Sequence, residues 1–479
     1  MQFCKLALFA AVLPAVAATT GSGIPTFNRD VAPILYNNCS TCHRPGEVAP
    51  FALLTYEDAK KRALQISAVT TARVMPPWKA EPGYGHFLDE RRLTEAQIAT
   101  LREWAKNGAP EGDPADKPAI PVFPKGWAAG EPDQVAQMTK PYTLPAEGND
   151  VFRCFVIPLN ANEDEWVKTV EFRAGNSKVV HHALIFLDKT GQARKKESAP
   201  GEGYECVGGT GLSLSGGLGG WAPGLRPSVR EPGYALTIPK GADLVVQLHY
   251  HLDGKVETDQ SKIGLTFTKD PPTKGLSLIL VGNTRIDIPA GDDHYVVTAS
   301  AEVPMDAEVT SVGPHAHYLC KSMKVDAHLP DGTVEPMIWI KDWDFNWQGS
   351  YKYVTPLKLP KGTRIEMEYI YDNSANNPHN PSNPPKEVKF GEQTTNEMAF
   401  TFVGITLDSP AQVPEFRHIT SANFIADAVE RGFEDEHDPS RGAQMKALFK
   451  MFDKNKDGKL DPEERQALVD FLIKQGVQI

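Results

Sequence analysis

Long apolar runs are almost missing from this 479-residue chain. Beyond the N-terminus no window approaches the roughly 20 apolar residues that a membrane-spanning helix needs, which excludes an ordinary transmembrane segment from the mature chain. Positive charge is short as well. The formal net charge is −11 with no long basic run, so the electrostatic footprint of a nucleic-acid binder is absent and nucleic acid is not expected as a partner. Cysteine occurs only six times. Nor does a thioredoxin-like βαβ pattern or a second close cysteine pair accompany the one close pair, which argues against a redox dithiol or half of a zinc site. At this length the expectation is about three domains.

What is present begins with "MQFCKLALFAAVLPAVAATT". Lys5, an apolar stretch of about a dozen residues, and Ala15 and Ala17 before the break have the layout of a secretory signal peptide over residues 1–18. Cys4 would leave with it. Of the later cysteines, Cys154 and Cys206 are a possible disulfide in an oxidising compartment, with Cys320 left over; spacing alone leaves the other two pairings open.

"NNCSTCHRP" holds Cys39, Cys42 and His43 in the C-x-x-C-H spacing that attaches a c-type haem, the thiols adding to the vinyl groups and His43 offering nitrogen to iron. The helix-like "YEDAKKRALQISAVTTARVMPPWKA" is stopped by Pro76 and Pro77. Met75 stands just before the stop, placed to be the second axial ligand, with His86 as its rival. "LTEAQIATLREWAKNGAP" adds an apolar face from Leu93, Ile98, Leu101 and Trp104 and a stop at Gly108. Together these features resemble a small all-α cytochrome c domain over residues 24–112, which implies a role in electron delivery.

Residues 113–146 are proline-rich and weakly periodic, and read as a linker. Beyond them the pattern turns to short alternating or apolar runs such as "VFRCFVIPL", "DLVVQLHYHL" and "RIEMEYIYD" between turn signals, which predicts antiparallel β-sandwich, or jelly-roll, architecture. The turn-rich "TKDPPTKG" is a natural divide between two sandwiches, over 147–273 and 274–412. Within this region histidines cluster in "VVHHALIF", "VVQLHYHLD" and "GPHAHYLCKS". The H-x-H spacing of His249 with His251, and of His315 with His317, puts each pair on one face of a strand, where it can grip one metal ion. Imidazole suits copper, zinc, iron and nickel, while a thioether such as Met398 in "TTNEMAFTF" prefers Cu(I). The adjacent His181 and His182 would point to opposite faces of a regular strand, so joint ligation requires a bulge, a twist or a strand end there.

The ordered set, with "GGWAPG" before "LVVQLHYH", then "PHAHYL", then "NEM", resembles the copper type II, ascorbate-dependent monooxygenases, the family of peptidylglycine α-hydroxylating monooxygenase and dopamine β-monooxygenase. The resemblance runs from about residue 150 to about 410. It implies that His181, His182 and His249 hold an electron-relaying copper. It also implies that His315, His317 and Met398 hold a second copper that binds and activates O2, with substrate in the cleft between the sandwiches and C–H hydroxylation as the reaction. His251 departs from the family, whose members commonly carry a non-ligand there. The family's substrate-recognising residues have no match, so the substrate is left as a small molecule or a peptide.

In the tail, "FDKNKDGKLDPEE" fits a calcium-binding EF-hand loop through Asp453, Asn455, Asp457, Lys459, Asp461 and Glu464, with helices on either side over 440–476. The combined expectation is an exported, periplasmic or extracellular bacterial copper monooxygenase carrying two copper ions, one covalent haem c and one calcium ion, and fed by an ascorbate-like donor or a redox protein. The alternative is a haem- and copper-bearing electron-transfer or copper-binding protein without hydroxylase activity.

Overall fold

The computed structural model describes residues 23–47, 49–123, 126–207, 209–212, 216–432 and 439–476. The expected signal peptide, with Cys4, lies outside them. The chain divides into two compact units, one made of residues 1–76 and 92–121, the other of 77–91 and 122–479.

In the smaller unit the helices start where side chains cap them. Thr55 accepts from the Asp58 amide and Thr94 from the Gln97 amide, each as half of a capping box that satisfies amides the first turn leaves open. The helices Ala32–Asn38, Tyr56–Lys60, Ala63–Thr71 and Glu95–Lys106 bury Phe27, Leu35, Leu101 and Trp104 completely. Trp104 also donates Nε1–H to the Pro110 carbonyl at 3.0 Å, so its one polar atom is satisfied inside the core.

The larger unit is built on four principal antiparallel sheets. Gln134–Gln137, Lys262–Thr268, Glu165–Arg173 and Ser228–Val229 make the first, with Leu236–Ile238 also paired to Glu165–Arg173. Tyr204–Glu205, Val151–Pro158, Asp243–Tyr250, Val180–Asp188 and Gly216–Trp221 make the second. Gly275–Gly282, Phe400–Leu407, Ala307–His315 and Tyr351–Leu359 make the third, and Tyr295–Glu302, Arg364–Tyr371, Cys320–His328 and Val334–Ile340 the fourth. One apolar core joins side chains of the first two sheets, including Phe172, Ile185, Leu248 and Ile263. A second joins the other two, including Val281, Val312, Met323 and Tyr369. Asp243–Tyr250 is buried at every residue. Its outer side is covered by a small cluster around the Cys154–Cys206 disulfide, which is why "DLVVQLHY" does not alternate as a half-exposed strand would.

These observations overturn the expected fold class. The chain is mostly β, and none of the eight α-helices among the described residues belongs to an N-terminal all-α cytochrome domain. In place of two jelly-roll sandwiches stands a propeller-like arrangement of four small sheets, followed by a helical C-terminal region. Two physical causes account for the difference. Residues 77–91, read as part of the helical haem domain, are an irregular run of turns and isolated bridges that bonds within the larger unit: the Glu81 amide to Trp339 O at 2.7 Å, the Leu88 amide to Lys352 O at 2.7 Å, and the Val354 amide to His86 O at 2.8 Å. And period-2 patterning identifies a strand without saying which sheet it joins. The expected linker is likewise partly absorbed, since Gln134–Gln137 and Tyr142–Leu144 are strands. The single helix read after Tyr56 is two, broken at residues 61–62.

Past the last sheet strand, Val413–Arg431 forms a helix that ends on Gly432 in the left-handed region at φ 74°, a conformation glycine takes without strain. Its residues Ala422, Ala426 and Val429 share a core with Phe452, Leu468, Val469 and Leu472 of the two final helices, Pro439–Phe452 and Pro462–Lys474. Among the described residues no helix is long and apolar enough to cross a membrane.

Candidate metal centres

The double histidine lies where its strand is irregular. His249 pairs with His182 and Tyr250 with Val180, so His181 is the extra residue of a β-bulge. That extra residue turns both imidazoles to one side. Nδ1 of His181 lies 3.3 Å from Nδ1 of His182, which lies 3.3 Å from Nδ1 of His249. Nitrogens held about 2.0–2.1 Å from one ion in a tetrahedral site stand about 3.3 Å apart. The three donors lie within 4.8 Å of one another and could hold a metal ion. Burial, followed by the neighbouring histidines, pushes the His181 imidazole down to about 3, and burial holds His182 well below its ordinary value. Both rings are therefore neutral at pH 7, with lone pairs available for ligation.

His249 is fixed from two other directions. The Phe152 ring stacks on it at 4.2 Å and 12°, and its Nε2 lies 3.1 Å from the buried Oδ2 of half-buried Asp150. The strand stops at Tyr250, so His251 does not continue the same face as its spacing with His249 suggested. Its Nδ1 lies 3.0 Å from Asp150 Oδ1 instead. Burial works against the Asp150 charge, yet hydrogen bonds to His249 and His251 outweigh it and hold the carboxyl below its ordinary value.

The second histidine pair sits at a strand end. His315 closes Ala307–His315 and His317 lies two residues beyond, outside a regular strand. Their rings are still 5.3 Å apart and nearly perpendicular. His315 Nδ1 donates to Gln348 Oε1 at 2.6 Å and His317 Nδ1 to the Asn396 carbonyl at 3.1 Å. With those nitrogens carrying hydrogen, Nε2 of each ring is left as the ligand atom. Burial pushes His315 down to about 4 and His317 to about 3. Met398 was expected inside a strand; it falls just before Phe400–Leu407. Its carbonyl accepts from the Tyr371 hydroxyl at 2.6 Å. Buried Glu397 ties these residues together, accepting the amides of His317 at 2.8 Å, Leu319 at 2.6 Å and Met398 at 3.3 Å. Burial pushes its own carboxyl up to about 8.

Both sets touch Phe345. Its ring stacks on His181 at 5.1 Å and meets His317 edge-on at 5.6 Å. The same segment supplies Gln348, and Trp343 donates to the His317 carbonyl at 3.0 Å. Sequence reading missed Asp150, Phe345, Gln348 and Glu397. Only Glu397 carried a signal, as the middle of "NEM".

In the smaller unit, Cys39, Cys42 and His43 occupy one turn closed by the His43 amide on the Cys39 carbonyl at 2.9 Å. His43 Nδ1 donates to the Phe51 carbonyl at 3.1 Å, leaving Nε2 free to ligate. Burial, with the Cys42 thiol adding to it, pushes the Cys39 thiol up to about 12. Met75 belongs to this unit and His86 to the larger one.

In the tail, Gly458 makes the sharp turn at φ 81°. Glu464 accepts the amides of Lys454, Asn455 and Asp461 at 2.7, 3.2 and 3.1 Å. Asp457 accepts the Lys459 amide at 2.8 Å, while Asp453 Oδ1 is buried with no hydrogen-bond partner, as expected of an oxygen placed for a cation.

Of known families, the EF hand matches, over residues 445–469; neither a cytochrome c nor a copper monooxygenase family model does. Residues 445–469 thus carry the pattern of an EF hand, a class of calcium-binding motif. No curated protein matches the chain. Among solved structures, the chain is similar to the infectious bursal disease virus VP2 subviral particle at 10% identity, over 59% of this chain and 74% of that one, with a TM-score of 0.18. It is similar to PNGF-II at 11% identity, over 59% of this chain and 63% of that one, with a TM-score of 0.21. Neither likeness bears on function.

Proposed function

We propose that the chain is an exported copper-dependent monooxygenase that uses O2 to hydroxylate a C–H bond of a small-molecule or peptide substrate, with electrons delivered through a c-type haem. The observation that carries the reading is the convergence of three imidazoles, with His182 Nδ1 3.3 Å from Nδ1 of both His181 and His249, beside a second histidine pair whose Nδ1 atoms are already engaged. The donor chemistry fits the two expected ions. Three imidazoles suit a copper that only passes electrons, while two imidazoles and the Met398 thioether favour the Cu(I) state that reacts with O2. Cys39, Cys42 and His43 fit covalent haem, since two thiols stand on one turn with an imidazole whose other nitrogen is anchored.

When bound, the copper ions supply one-electron transfer and O2 activation, and the haem supplies one-electron relay. The reaction takes two electrons and two protons per O2, placing one oxygen in the product and one in water. The chain's own residues do the positioning. Gln348 and the Asn396 carbonyl orient His315 and His317, Glu397 holds the backbone between His317 and Met398, and Phe345 keeps an apolar wall against both histidine sets. The EF hand would hold a structural calcium.

The test is to load the purified full chain with copper, supply an ascorbate-like donor, and follow O2 consumption together with oxygen added to candidate substrates. Met398→Ala is expected to keep both histidine sets and lose product. Equal product yields from wild type and Met398→Ala at equal copper content would refute the hydroxylase reading.

A further inference from the structure

We propose that Asp150 is a positioning residue for the first metal set, taking the Nε2–H of His249 and so turning the bare Nδ1 of that ring toward His181 and His182. The inference rests on the metal reading of those three histidines. A neutral imidazole carries one N–H, and whichever nitrogen bears it cannot ligate. Metal-binding histidines commonly settle that choice by donating the other N–H to a carboxylate. Here the carboxylate is Asp150, just ahead of the strand Val151–Pro158, and its side chain is only 8% exposed against 3% for His249. At 3.1 Å the two atoms are close enough to pair but are not aligned as a hydrogen bond, and both His249 Nε2 and Asp150 Oδ2 are buried with no hydrogen-bond partner among the described residues, so each is the other's nearest available complement.

Each of the two side chains has one further contact. Phe152, paired with His249 across the ladder, stacks on the ring and sets its plane. His251, its side chain 59% exposed, holds the second carboxylate oxygen at 3.0 Å from the solvent side. The H-x-H spacing thus serves the first metal set through one ligand and one residue that steadies the ligand's partner.

The test uses the full chain titrated with copper(II) alone, in competition with a chelator and followed by electron paramagnetic resonance. Wild type is expected to bind an ion that His182→Ala abolishes. Asp150→Ala is expected to weaken that ion roughly 10–100-fold. Asp150→Asn, which keeps an acceptor oxygen but not the charge, is expected to restore most of the affinity while changing the copper hyperfine splitting and raising the reduction potential. If Asp150→Ala binds with unchanged affinity and spectrum, Asp150 does not position His249, and the metal site stands without it. A spectrum and potential in Asp150→Asn identical to wild type would also overturn the proposal. If wild type binds no ion that His182→Ala removes, the metal reading fails and takes the proposal with it.

Discussion

Removing calcium from the tail is expected to loosen two helices, one that leads out of the loop and one that lies before it in the chain. Asp453 Oδ1 is buried without a partner, and an unsatisfied buried acceptor costs about 1–3 kcal/mol, more when charged. A bound cation removes that cost. If the dissociation constant is on the order of 10⁻⁴ M, as in extracellular modules, then 10 mM calcium is about 100-fold above it and stabilises the bound form by about 2.7 kcal/mol. The effect should spread, because Pro462–Lys474 shares a core with Val413–Arg431, and Arg465 bonds to Asp427 at 2.6 Å across the two helices. Amide hydrogen exchange is the assay. Amides of both helices should slow by about 100-fold in 10 mM calcium relative to chelator, since each 1.4 kcal/mol is tenfold in an opening equilibrium. Asp453→Ala should abolish the difference and be no less stable than wild type in chelator. Equal slowing in Asp453→Ala, or none in wild type, would refute the assignment of the orphaned oxygen to a cation.

Other outcomes follow from groups already described. Residues 154 and 206 are 52 positions apart, and a cross-link closing a loop of that length stabilises by about 4 kcal/mol in the chain-entropy account. A Cys154→Ser/Cys206→Ser variant should show a loss of that order in denaturant unfolding of the larger unit, and a loss near zero would contradict it. Stability of the chelator-treated protein should fall with acid. His181 and His317 are pushed down to about 3 and His315 to about 4, against an ordinary value of about 6.5. Between those values the unfolded chain binds protons that the folded chain does not, so this stability is present above about pH 6.5 and is lost as pH falls toward 4. At about 1.4 kcal/mol per unit, His315 alone contributes about 3 kcal/mol. A melting temperature that stays flat from pH 7 to 4.5 would be the contrary result.

The parts legible in the sequence were those whose information is local. The capped helix Glu95–Lys106, the EF-hand loop and the conflict between adjacent histidines and a regular strand are all written in a few consecutive residues. Sheet membership is not local. The strands Val151–Pro158 and Glu165–Arg173 are neighbours in sequence yet lie in different sheets, and residues 77–91 reach across to Trp339 and Lys352. The same limit applied at the candidate metal centres. Ligand candidates announced themselves by type and spacing, whereas Asp150 meets His249 from 99 positions away and Gln348 meets His315 from 33. A lone Asp or Gln outside the strands looks like any other polar residue until the partner is in place.

The bulge at His181 ties the candidate metal centre to the core in a way that one-residue changes in chain length would expose. Val179, in the turn that leads into the strand, and Val180, its first residue, are both almost fully buried, at 1% and 2% exposure. Deleting one residue there would restore an even ladder and turn everything on one side of the cut to the opposite face. One valine would swing toward solvent as one histidine swung away from its partners. Lengths of the segment leading into His182 should therefore tolerate no single insertion or deletion, even where individual substitutions are accepted.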